Sequence, residues 1–346
     1  MRTIERCPDL PDRLRVCHAL PFDPRFGYSL PELLAIEPPP EEPHDYARFW
    51  RQSYETARAT EGRLRIERRE VQTALEDVTV CEIEYYGYDG FKVGGWLCEP
   101  KGREPRALMV TGHGYGGRET YDAAWARRGC AVLLPCARGF HRSAHDGVPF
   151  VAASHVVHGI ESKESYLLRA CVMDLWLAGS VLQQLFPNRA DRLIFTGGSF
   201  GGGLGALMLP WDARYRAAYL SVPTFGNHPI RLRYPCTGSG ESVRRLWLRE
   251  PGIERTLRYY DAALAARRIT IPVATEAAMF DPAVIPPGQF SVANAIQSPG
   301  SVTLPTTHGH FDLPAGAPEA VVPLWVGRRV MAFLTRHIDR MDPVSA

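Results

Sequence analysis

The chain has 346 residues, 45% hydrophobic and 23% charged, which is the make-up of a water-soluble globular protein and argues against a fibrous or disordered one. Forty Lys and Arg against 38 Asp and Glu leave a net charge of +2, and all of the basic residues except Lys92, Lys101 and Lys163 are Arg. A balance this close creates no broad positive field, so nucleic acid is not an expected partner.

In chain order, MRTIERCPDL at the N-terminus is charged and lacks the apolar core of a secretion signal, so a cytoplasmic protein is expected. Residues 1–45, with PPPEEP at 38–43, read as an extended wrapping segment. The stretch 45–59 places Tyr46, Phe49, Trp50 and Tyr54 on one helical face, and Asp45 is positioned to cap that docking helix. Residues 66–98 alternate apolar and polar around Gly87-Tyr88-Asp89-Gly90, the signature of an antiparallel hairpin. Short unbroken apolar runs then recur at 107–110, 131–135, 192–196, 217–222, 272–280 and 301–305. Helical stretches separate them at 165–186, 201–209, 256–267 and 318–337.

Strands that are apolar on both faces, alternating with helices, predict an α/β architecture with a mostly parallel central sheet and helices on both sides. The expected division is an N-terminal extension and docking helix over 1–70, packed on a catalytic domain over 71–346. The longest apolar stretch, ACVMDLWLAGSVLQQLF, carries Asp174 and two Gln. It falls short of the ~20 nearly unbroken apolar residues that a membrane span needs, so no membrane association is expected. The eight Cys form no CxxC pair and read as reduced thiols rather than a disulfide frame.

The strongest chemical signal is RLIFTGGSFGGGLGALML at 192–209, an apolar strand running into Gly197-Gly198-Ser199-Phe200-Gly201 and then a small-residue helix. That is the setting of a nucleophile elbow, with a serine on a strained turn above a helix N-terminus that favours developing negative charge. Upstream, another apolar strand ends in His113-Gly114-Tyr115-Gly116. In α/β-hydrolases such a loop supplies one oxyanion-hole N–H, here that of Tyr115, and the residue after the nucleophile, Phe200, supplies the other. His113 itself reads as a tether for the loop rather than as a base.

In the hydrolase order an acid and then a base follow the serine. Asp281 comes directly after an apolar strand, a context that Asp212 and Asp261 lack, and Asp312 lies too close to the histidines. His308 and His310 in TTHGHFDLPAG, with His337 further on, are the candidate bases, and the residues alone leave the choice open. His141, His145, His155 and His158, with Asp146 among them, could be read as a metal site. However, they match no ligand spacing such as HExxH, and neither a metal nor a cofactor is expected.

Three segments together resemble the acetyl xylan esterase / cephalosporin-C deacetylase family of carbohydrate esterases. They are TGGSFGGG, AAMFDPAVIPPGQFSVANAI and HGHFDLPA, supported by HGYGG, by ARG at 137–139, by GIESKESYLLRACVMD and by YARFWRQSYETARA. The resemblance implies an α/β-hydrolase fold with Ser199 as nucleophile, Asp281 as acid and His310, which follows Gly309, as base. It also implies a small ester substrate such as an acetylated sugar, and a homo-oligomer. Three polar family residues become Phe140, Phe200 and Phe311 here, so a more apolar pocket is expected. A broader carboxylesterase, a peptidase-like hydrolase and a non-catalytic scaffold are the alternatives.

Overall fold

A computed structural model of the chain describes residues 2–312 and 321–341. Ten strands are described: β1 (Thr3–Ile4), β2 (Ile66–Val71), β3 (Val78–Tyr86), β4 (Lys92–Pro100), β5 (Ala107–Gly112), β6 (Cys130–Pro135), β7 (Leu193–Gly198), β8 (Tyr215–Ser221), β9 (Val273–Phe280) and β10 (Val302–His308). They form one sheet in the order β1-β10-β9-β8-β7-β5-β6-β4-β3-β2. From β1 to β6 every neighbouring pair is parallel, and β4, β3 and β2 add an antiparallel meander at one edge. The 66–98 hairpin and the parallel run that follows it are therefore present as the alternation and the apolar runs predict.

Each central strand is buried on both sides, and its side chains divide between two cores. Leu108 and Val110 of β5 face the helices Tyr46–Arg58, Leu167–Leu185 and Phe200–Met208. Met109, Val132 and Ile194 face the other way, toward the C-terminal helix Val321–Met341 and the wrapped residues Cys7, Leu10, Leu14, Leu30 and Leu33. The docking helix buries Tyr46 and Trp50 completely, with the Trp50 indole N–H donating to the Tyr259 carbonyl at 2.9 Å.

Three local readings differ from the structure. The wrapping segment also contributes β1, a two-residue edge strand paired with Val302 and Thr303, too short to leave a periodic signal. Asp45 precedes the docking helix but does not cap it; its carboxylate instead takes the Lys163 ammonium at 2.6 Å and the Tyr259 hydroxyl. These two hydrogen bonds, Lys163 first, outweigh desolvation and hold the Asp45 carboxyl well below the usual carboxylate range.

The stretch 256–267 is not one helix. It breaks at Asp261, whose backbone is extended and whose carboxylate accepts the N–H groups of Ala263 and Leu264 and so starts a new helix, Ala262–Ala266. The parallel strands β7, β9 and β10 all end at the same edge of the sheet, where crevices of α/β folds bind ligands. Ser199, Asp281 and His310 lie just beyond those three ends.

Candidate active site

Ser199 joins β7 to the helix Phe200–Met208 with φ 53° and ψ −113°, a conformation that costs a non-glycine residue about 1–3 kcal/mol. The turn is held from both sides: the Ser199 N–H donates to the Ser221 carbonyl at 2.8 Å, and its carbonyl accepts the N–H groups of Gly203 and Thr224 at 3.0 and 3.1 Å. The sharpness of the elbow explains its glycines. A Cβ on Gly197 would lie 2.7 Å from the Gly201 backbone, and one on Gly201 would lie 2.6 Å from that of Gly112.

His310 Nε2 lies 2.9 Å from Ser199 Oγ, and its Nδ1 lies 2.8 Å from Asp281 Oδ2. The imidazole is about a third exposed, whereas the Asp281 side chain is completely buried. Asp281 Oδ1 accepts the N–H groups of Ala283 and Val284, each at 2.9 Å, and Oδ2, besides facing His310 Nδ1, accepts the Gln289 side-chain amide N–H at 2.9 Å. Burial alone would depress the His310 pKa, but the hydrogen bond from Nδ1 to Asp281 and the carboxylate charge raise it above the ordinary histidine value.

The structure thus brings together Ser199, Asp281 and His310 and leaves the other candidates elsewhere. His308 Nδ1 pairs with the Thr307 hydroxyl at 3.0 Å, and His337 packs its ring on Phe333. Asp212 holds Arg214 at 2.6 Å, and Asp261 caps a helix. His113 ties its own loop down: Nε2 accepts the Ala137 N–H at 2.8 Å while Nδ1 donates to the Gly114 carbonyl at 2.6 Å. That loop crosses close to the nucleophile, since a Cβ on Gly114 would touch Ser199 Cβ at 3.7 Å. The backbone N–H groups of Tyr115 and Phe200 make no hydrogen bond with any described residue.

Of two further residues with a part in this arrangement, Gln289 was not singled out from the sequence and Gly309 was marked only as the residue before His310. Gln289 is fully buried and cannot turn over, because its Oε1 accepts the Ala278 N–H at 2.8 Å while its Nε2 donates to both the Val284 carbonyl and Asp281. Gly309 is required for a different reason: a Cβ there would sit 2.0 Å from Asp281 Oδ2, inside the oxygen that holds His310. Gly309→Ala is expected to lower kcat/KM by about 10²-fold, the scale of a misplacement near 1 Å, while the circular dichroism spectrum stays that of the parent.

Of the three Phe replacements, two are sealed in the wall. Phe200 is fully buried with the Tyr115 ring stacked on it at 4.1 Å, and Phe140 is 4% exposed against His113, Tyr115 and His155. Phe311 is half-buried and packs edge-on against Phe280.

The four loop histidines go separate ways. His155 bridges the Tyr115 hydroxyl at 3.3 Å and the Arg138 carbonyl at 3.0 Å, while His145 Nδ1 accepts the Gly147 N–H at 3.1 Å. Among the described residues no group of three or more His, Cys, Asp or Glu is assembled for a metal ion. Nor is any described helix long and apolar enough to cross a membrane.

Fold and site together define an α/β-hydrolase with its polar column at the C-terminal edge of the sheet. Residues 24–322 match the acetyl xylan esterase (AXE1) family, and the chain belongs to that family. It is a carboxylic ester hydrolase. Among its relatives is the acetyl esterase Axe7A of Xylanibacter ruminicola, 24% identical over 326 residues that span 90% of this chain and 72% of that protein.

Similar solved structures include an acetyl xylan esterase from Paenibacillus sp. R4, with TM-score 0.75 and 22% identity, covering 88% of this chain and 99% of that one. Acetyl xylan esterase 1 from Thermoanaerobacterium sp. JW/SL YS485 gives a TM-score of 0.76 at 18% identity, covering 91% of this chain and 99% of that one. Arg138 and Asp174, which lie in two of the segments that resemble the family, form a buried ion pair at 2.7 Å that Asp89 completes from the hairpin turn.

Proposed function

We propose that this chain removes acetyl groups from esters of carbohydrates or related small alcohols, with Ser199 as nucleophile, His310 as general base and Asp281 as the acid that orients it. His310 Nε2 takes the proton of Ser199 Oγ as the oxygen adds to the ester carbonyl. The oxyanion that forms is held by the backbone N–H groups of Tyr115 and Phe200, which no described residue engages, each donor of this kind contributing about 2.7–4 kcal/mol at the transition state. The tetrahedral intermediate expels the alcohol, which takes the proton back from His310. Water, activated by the same imidazole, then frees acetate from the acyl-enzyme.

The observation that carries this reading is the unbroken line from Ser199 Oγ through His310 to Asp281, at 2.9 and 2.8 Å. Family membership supports the ester chemistry. The test is a panel of acetyl, butyryl and longer esters of one alcohol, with the Ser199→Ala protein as blank. A clear acetyl preference is expected, and equal turnover of longer chains would favour a broad carboxylesterase.

The same geometry sets a pH dependence. Only neutral His310 accepts a proton, so activity is lost as pH falls through its folded-state pKa. Because the Asp281 hydrogen bond and charge raise that pKa against burial, the acid limb of kcat/KM is expected above the 6.5 of an unperturbed histidine. A midpoint below 6.5 in a pH–rate profile would contradict this.

A further inference from the structure

A groove adjoins the elbow on the face of the sheet turned toward the C-terminal helix. Side chains alternate along a strand, so Thr111 shares a face of β5 with Met109, and Thr196 shares a face of β7 with Ile194. Thr111, Thr196 and, from β8, Tyr219 and Ser221 line a groove of about 440 Å³. Trp125 and, from the C-terminal helix, Val330, Met331 and Leu334 supply its apolar walls. That volume is in the range of small-molecule sites, about 300–1,000 Å³. The groove reaches the elbow itself: Gly197 and Gly198 line it, and the Ser221 carbonyl accepts the Ser199 N–H at 2.8 Å.

A glycine in the helical wall keeps the groove open. Gly327 lies inside the 21-residue helix Val321–Met341, where glycine is the poorest helix former after proline. Packing does not demand it, because a Cβ at this position would meet nothing within 4 Å. What the missing side chain preserves is space for something that is not part of the chain.

The hydroxyls along the strands select the ligand. Those of Tyr219 and Ser221 both donate to Glu276 Oε2, so each oxygen is left as an acceptor. The Thr111 and Thr196 hydroxyls lie 2.9 Å apart and bond to each other; whichever donates, the other keeps an O–H to give. A ligand must therefore both donate and accept. No Lys, Arg or His is among the described residues that line the groove, while Asp122 is, which disfavours an anion. An ammonium group only donates and would leave the threonine O–H without an acceptor. Sugar hydroxyls do both, and the C–H face of a sugar ring suits the apolar walls.

We propose that this groove is a second, non-catalytic site that binds a neutral sugar ring. The ring hydroxyls meet Thr111, Thr196, Tyr219 and Ser221, and its C–H face lies against Trp125 and the C-terminal helix. The site needs no turnover and stands whether or not Ser199 cleaves an acetyl ester. A sugar held there rests against the backbone of the elbow, across the sheet from the helix Phe200–Met208.

The test is calorimetric titration of the protein with methyl β-D-glucopyranoside, with its cationic 2-amino-2-deoxy analogue and with cyclohexanol, an apolar ring of the same size. The neutral sugar is expected to bind at least about tenfold more tightly than cyclohexanol and no more weakly than the amine. Its binding should persist in Ser199→Ala, which separates the groove from the cleft that holds the reacting ester. Thr196→Val, which keeps the side-chain shape and removes the hydroxyl, should weaken sugar binding about tenfold. Gly327→Leu fills the groove and should abolish binding with Tm at or above the parental value, since leucine is the better helix former. If Tm falls instead, Thr196→Val decides alone. Absence of sugar binding, loss of it in Ser199→Ala, or binding that Thr196→Val leaves unchanged overturns the proposal. So does equal binding of cyclohexanol, which marks a merely apolar cavity, or tighter binding of the amine, which marks a cation site.

Discussion

Ser199→Ala is expected to lower kcat on acetyl esters by about 10⁶, because nucleophile, base and acid act as a unit and losing the first makes the others idle. What remains should be the modest rate that the oxyanion donors and substrate binding support by themselves. The fold should survive. Alanine can occupy φ 53° much as serine does, since the turn is held by the backbone bonds to Ser221, Gly203 and Thr224 rather than by the hydroxyl. The one side-chain bond lost, from Oγ to a partly exposed imidazole, contributes about 0.5–1.5 kcal/mol. Thermal unfolding alongside the kinetics checks both halves. A variant with parental Tm that keeps even a tenth of the parental kcat would remove Ser199 from the role of nucleophile.

Much of the fold and the residues of the column were legible because their signals are local. A buried strand, a glycine-flanked serine and a small-residue helix must occur in sequence for an elbow to form, and Asp281 and His310 each stand just beyond an apolar run. Gln289 carried no such mark, and Gly309 was marked only as the residue before His310. Both matter through Asp281, which tertiary structure places against them.

The misreadings have the same origin. Asp45 looks like an N-cap until Lys163, 118 positions away, takes its carboxylate, and the apolar rhythm of 256–267 does not register that Asp261 caps a new helix. The three Phe departures were visible as departures, but their destination was not. Phe200 and Phe140 pack behind the loop that carries Tyr115, where the Tyr115 ring stacks on Phe200 and its hydroxyl meets His155, fixing the backbone N–H that we propose for the oxyanion.

Asp281→Asn tests the deepest member of the column, and the surroundings dictate how the amide must sit. Both carboxylate oxygens face donors: Oδ1 meets the Ala283 and Val284 N–H groups, and Oδ2 meets Gln289 and His310. An asparagine NH₂ in the Oδ1 position would oppose two backbone donors that cannot move. It must therefore take the Oδ2 position, where it opposes the Gln289 amide, itself locked by Ala278 and Val284, and can only donate to His310 Nδ1. That puts the imidazole proton on Nε2, the nitrogen that should receive the proton from Ser199. A neutral histidine in the wrong tautomer costs about 10⁴ in kcat in a triad of this kind. The variant also loses the carboxylate that raises the His310 pKa, so its residual activity should keep to lower pH than the parent's, with the acid limb displaced downward. A loss of kcat with an unmoved acid limb would mean that Asp281 holds the loop and not the imidazole. The two effects together are the signature of a carboxylate acting on His310.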